Sequence, residues 1–157
     1  IMKILNLFWL LLIQIPFSNL NAQDTYCSDY HTSKCEVSDK SGKKWTLHPS
    51  SKSGLFKQGT INKLPCPAQN KNDYRFILCY DEALGDKLVM KIKDATNGEI
   101  LYTNETDNFS RVFEFSNTKT RKLEIEIQIP KGADAKSVES GCLGIMIQNR
   151  KTDKAGF

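Results

Sequence analysis

The stretch 121-RKLEIEIQIP-130 alternates without a break: Leu123, Ile125, Ile127 and Ile129 occupy one parity, and Lys122, Glu124, Glu126 and Gln128 the other. Side chains on a strand switch faces at every residue, so this pattern is a strand with one face buried and one in water. The outer row contains no His, Cys or Ser. It reads as a solvated face whose mixed charges discourage pairing with other sheets.

Six further runs share this texture: LFKQGTI (55–61), DYRFILCYD (73–81), DKLVMKIKD (86–94), GEILYTN (98–104), FSRVFEFSN (109–117) and CLGIMIQNR (142–150). All are rich in β-branched and aromatic residues and bounded by Gly, Asn, Asp or Pro, and none sustains a helical period. Asn97-Gly98 between two of them supplies the positive φ that a hairpin turn needs. The expectation is an all-β, antiparallel β-sandwich of about seven to eight strands, immunoglobulin-like or jelly-roll-like, over residues 55–150. Its inward parity comprises Phe76, Leu78, Leu88, Met90, Phe113, Phe115, Leu123, Ile125, Ile127, Leu143, Ile145 and Ile147, with Phe109 on the rim. Residues 23–54 are polar and form a Cys-containing N-terminal extension with one short strand around Trp45–Leu47. Residues 151–157 are a tail.

Ahead of the extension, MKILNLFWLLLIQIPFSNLNAQ carries Lys3, an apolar run from Ile4 to Ile13, and then polar residues. That is the layout of a secretory signal, assigned to residues 1–22 with cleavage after Ala22. Gln14 and Pro16 break the run, which is too short for a membrane span. No Cys directly follows the cleavage site, so a lipoprotein is not expected. A periplasmic or secreted product is expected, with no membrane span in the mature chain.

The formal charge of +4 on 157 residues includes Lys3, so the mature chain carries one charge less. Lys and Glu are interleaved with no basic stripe, which argues against nucleic-acid binding. All five cysteines lie beyond the signal. In an oxidising compartment disulfides are the default, and an odd count leaves one thiol over. Cys79 and Cys142 both leave the core parity of their strands, so a Cys79–Cys142 bridge is expected. Cys27–Cys35 is the simplest second pair, with Cys66, between Pro65 and Pro67, left unpaired.

The run from Tyr74 to Ile129 resembles bacterial pre-peptidase C-terminal β-sandwich modules, in the order of its Y-x-F, L-x-V-like, D-x-x-x-G, F-x-F and L-x-I-x-I elements. The closing SGCLGIMIQ is similar to the ends of short exported proteins of Bacteroidota. Arg121-Lys122 stands where those modules carry an aromatic. The resemblance implies a non-catalytic accessory domain and names no ligand.

Candidate chemistry is sparse. Cys27, His31 and Cys35 are spaced by four, and with Cys66 they would make a Cys₃His zinc site, but export favours disulfides over thiolate ligands. His31 and His48 are the available imidazoles and the sequence has no G-x-S-x-G turn, so a thiol enzyme on the unpaired Cys with one of these histidines is a third reading. Asp81, Glu82 and Asp86 in one turn, and Asn104, Glu105 and Asp107 in another, offer oxygens but match no defined calcium loop. Asn104-Glu105-Thr106 and Asn108-Phe109-Ser110 match the glycosylation sequon, which would be used only in a eukaryotic secretory pathway. Trp45, Tyr74, Tyr80 and Tyr102 are the candidates for a sugar platform. No catalytic, cofactor or metal residue is assigned. The expected function is an exported, non-catalytic binding or accessory subunit engaging a protein partner in the envelope or an outer-membrane complex. A secreted carbohydrate-binding module is the alternative, and a metal- or thiol-dependent enzyme the third.

Overall fold

The computed structural model describes residues 26–152 apart from 40, 41, 43 and 135; the signal segment falls outside them. A one-turn helix α1 (Tyr30–Ser33) precedes β1 (Thr46–Leu47), β2 (Lys52–Lys57), β3 (Ile61–Ala68), β4 (Asn72–Tyr80), β5 (Val89–Asp94), β6 (Ile100–Thr103), β7 (Val112–Asn117), β8 (Arg121–Gln128) and β9 (Ser140–Lys151). Two antiparallel sheets face each other. In sheet A, β9 pairs with β4, β4 pairs with β7, and β1 and β2 follow one another along the other side of β9; sheet B has the order β3-β8-β5-β6. The expected β-sandwich is therefore present.

The run LFKQGTI holds two strand segments, not one. Its first half ends β2 in sheet A, and Ile61 opens β3 in sheet B, with Gly59 at φ 77° in the turn between them. β3 was not legible because it contains Pro65 and Pro67. It is an edge strand paired only with β8, and there a missing N–H on the open side costs no ladder bond. The hairpin at Asn97-Gly98 joins β5 to β6 as expected. It is wider than a two-residue turn, with positive φ at Gly98 alone of the pair and a shift of register after Ile92.

All twelve core candidates contribute. Ten are buried in the core between the sheets, while Phe113 and Phe115 pack against it half-buried. Tyr74, Tyr80, Leu84, Ile92 and Ile129 join them. A second, smaller core of Cys35, Ile77, Cys79 and Met146 lies on the other side of sheet A, with Tyr30, Val37 and Val112 against it. β4 is thus apolar on both faces, which is why FILCY runs continuously where β8 alternates.

Candidate functional site

The outer face of sheet A is covered by the N-terminal segment. Cys27 and Cys35 flank α1 and bond to Cys142 on β9 and Cys79 on β4 respectively. This corrects the expected pairing. β4 and β9 are neighbours, as that pairing supposed, but Cys79 stands opposite Gly144 rather than Cys142. The two outward sulfurs are therefore offset along the sheet, and each meets a cysteine of the segment lying above it. Gly144 permits the approach, since a Cβ there would come within 2.9 Å of the His31 Cα. The Tyr30 hydroxyl donates to Asp81 Oδ1 at 2.7 Å, and burial together with that bond pushes its pKa up to about 12. Further along, the Trp45 ring lies 4.2 Å from the guanidinium carbons of both Arg75 and Arg150. Its Nε1 donates to Asp39, which also pairs with Arg75 at 3.0 Å.

These contacts dispose of most candidate chemistry. The Cys27, His31, Cys35, Cys66 zinc set is not assembled: two members are in different disulfides, His31 Nδ1 is 2.8 Å from Ser53 Oγ, and Cys66 is buried between the sheets. No group of three or more metal-binding side chains occurs among the described residues. Asp81 also accepts the Cys142 N–H at 2.7 Å, so it fastens β9. Asn104 is fully buried, bonded to Met90 N, Leu88 O and Ser110 O, so that sequon offers no accessible amide. Tyr74 and Tyr80, named as platform rings, are core residues, and Tyr102 stacks on Phe113 at 3.7 Å between centroids. Trp45 is engaged by the two arginines.

One pair that the chain order hides does meet. His48 Nδ1 lies 4.0 Å from the Cys66 Sγ. Catalytic thiols need the thiolate, and here burial drives the thiol to about 12 and lowers the pKa of His48. His48 Nδ1 also accepts the Ser50 N–H at 3.1 Å. The pair is a neutral, packed contact.

No described element covers the outer face of sheet B. Lys63 pairs with Glu124 at 2.9 Å, Lys93 with Glu126 at 2.6 Å, and Lys91 with Glu105 at 3.3 Å. The two glutamates of β8 are thus held in cross-strand ion pairs. An open trough of about 500 Å³ on this face runs past Pro65, Pro67 and Ala95, with Lys63, Lys122 and Glu124 along it.

The feature with binding geometry is the seam between β2 and β3, where the sandwich is not closed. A cleft of about 270 Å³ enters there, reaching Ile125, Ile127, Leu143 and Ile145 between walls formed by Phe56 and Leu64. The cause is the inward row of β2, read from its register with β9: Lys52 opposite Ile145, Gly54 opposite Leu143, Phe56 opposite Gly141. Gly54 supplies no side chain, and Lys52 is exposed, so one aromatic does the work of three core residues. The edge of β2 is also open: beyond its ladder with β9, Lys52 to Lys57 make no backbone-to-backbone hydrogen bond among the described residues. Sequence reasoning missed this site, although the Lys-x-Gly parity in KSGLFK was its signal.

No family model matches the chain and no curated protein does. Among solved structures, the chain is similar to PliG of Aeromonas hydrophila, a periplasmic lysozyme inhibitor of g-type lysozyme, with TM-score 0.46, 12% identity, and coverage of 73% of this chain and 93% of that one. PliG of Salmonella Typhimurium, likewise a periplasmic inhibitor of g-type lysozyme, gives TM-score 0.39 and 12% identity over 71% and 94%. Similarity at this level carries no assignment of function, which rests below on the chain's own surfaces.

Proposed function

We propose that this chain is an exported, non-catalytic binding subunit whose partner is a protein of the bacterial envelope. The observation that carries the reading is the apolar seam beside an unpaired strand edge, a combination by which proteins recognise other polypeptides. Two disulfides suit an oxidising compartment and hold the N-terminal segment rigidly on sheet A. The Cys66 thiol is packed, both imidazoles are hydrogen-bonded, and the carboxylates of Asp81, Glu105 and Asp107 are held by hydrogen bonds. The carbohydrate alternative loses its named rings to the core and to cation–π contacts.

The test immobilises the disulfide-bonded chain and measures binding to purified envelope proteins, a g-type lysozyme among them, alongside a panel of soluble glycans. Saturable, stoichiometric binding of a protein at micromolar concentration or below, with no glycan bound, is expected. Binding of glycans alone would return the chain to the carbohydrate-module reading.

A further inference from the structure

We propose that the seam is completed by strand addition: an extended segment of the partner pairs with β2 and places alternate apolar side chains over Leu143 and Ile145. This deepens the binding-subunit reading and rests on it. Three observations converge on β2. Among the described residues its outward N–H and C=O groups make no backbone-to-backbone hydrogen bond, and only the Lys57 carbonyl is partnered, by the Thr60 hydroxyl at 2.8 Å. Behind it lies a cleft of about 270 Å³ with a core-like floor, larger than the roughly 150 Å³ void that holds a benzene ring. Across the seam, β3 carries Pro65 and Pro67 and is closed to a continuous ladder, so an incoming strand has one edge to join.

The charges define the occupant further. Lys52 and Lys57 stand at the two ends of β2, about 17 Å apart along a strand, and neither has an ion pair among the described residues. Lys52 shares the inward parity of Gly54. A neutral strand laid on this edge would cover an unpaired ammonium, which is unfavourable, whereas an acidic residue there would neutralise it. The fitting segment therefore has an acidic residue at each end and large apolar residues at alternate positions between, the central one filling the space that Gly54 leaves. The same lysines deter a second copy of this chain, whose own β2 would bring like charges.

The probe is a fluorescent peptide of about nine residues, acidic at both ends, with leucine and valine alternating with threonine. Two versions carry N-methyl groups on alternate amides, one on each edge, and a control scrambles the alternation. Titration of the native chain is expected to show saturable binding, weaker by about tenfold or more with one N-methyl series and unchanged with the other, since a ladder uses one edge of a strand. Gly54→Leu fills the cleft and should weaken binding by about tenfold; its Cβ would meet only Phe56 at 3.5 Å, an ordinary contact. Equal binding of the scrambled peptide, or equal losses with both methylated series, would overturn strand addition. So would concentration-dependent dimerisation abolished by Gly54→Leu, which would assign the seam to a second copy. If a protein partner is captured equally by wild type and Gly54→Leu while the peptide fails to bind, strand addition falls and the binding-subunit reading stands.

Discussion

The two seams of this sandwich are built from the same materials to opposite effect. Along the β6–β7 side, Tyr102 stacks on Phe113 at 3.7 Å, Phe113 lies 5.8 Å from Phe115, and Phe115 lies 6.0 Å from Phe76. The residual space there is about 130 Å³. Along the β2–β3 side, Gly54 and Lys52 occupy positions where such rings would stand, and the space is about twice as large. A sheet edge backed by rings is finished; a sheet edge backed by a glycine and a lysine is left for something else to finish. The difference lies in a few side chains and not in the topology.

The comparison can be tested by removing side chains from each seam. Ile125 is fully buried on the floor of the open seam, and Ile125→Ala should cost roughly 2 to 5 kcal/mol in a denaturant melt, showing that this floor belongs to the core. Phe113→Ala in the closed seam should cost about 3 kcal/mol. Phe56→Ala should cost about 1 kcal/mol, because that ring already faces a space on one side. Equal losses for the two phenylalanines would erase the distinction.

Cys66 sits further along β3, against His48 of the β1–β2 connection, and it sharpens the comparison through pH. The folded thiol keeps its proton up to about 12, while the unfolded thiol ionises near its ordinary value of about 8.5. The folded pKa is the higher one, so this contribution to stability is complete below about pH 8.5 and is lost as pH rises toward 12. Between pH 8 and pH 10 the loss should be about 1 to 2 kcal/mol, absent in Cys66→Ala. A flat profile in the wild type would mean that water reaches the thiol through the seam. The smallest effects belong to the surface: Glu124→Ala, on the ion-paired face of sheet B, should stay within about 0.5 kcal/mol, and Gly54→Leu within about 1 kcal/mol, since it adds apolar volume where room exists.

How much of this was legible follows from where each residue's environment is set. The alternation of β8 and the inward parity of β4, β5 and β9 depend on one sheet facing another, and a period of two encodes that directly. The segment over sheet A was only implicit: the unbroken FILCY and CLGIMI runs call for cover on both faces, but nothing local says that α1 with its flanking cysteines and Trp45 provide it. The disulfides were misassigned for the same reason, since parity gives the face of Cys79 and Cys142 but not their stagger or what lies above them. The seam was harder still. Lys52 and Gly54 become informative only when β2 is placed beside β9, a pairing across more than 80 positions of sequence.

Amide hydrogen exchange, read residue by residue with and without saturating alternating peptide, is the most direct test of the central claim that β2 is an unfinished edge. The account predicts that alternate amides within Lys52–Lys57 become protected on binding while those of the β7 edge do not change. Protection confined to β7, to the segment over sheet A or to the outer face of sheet B, with β2 unaffected, would contradict it.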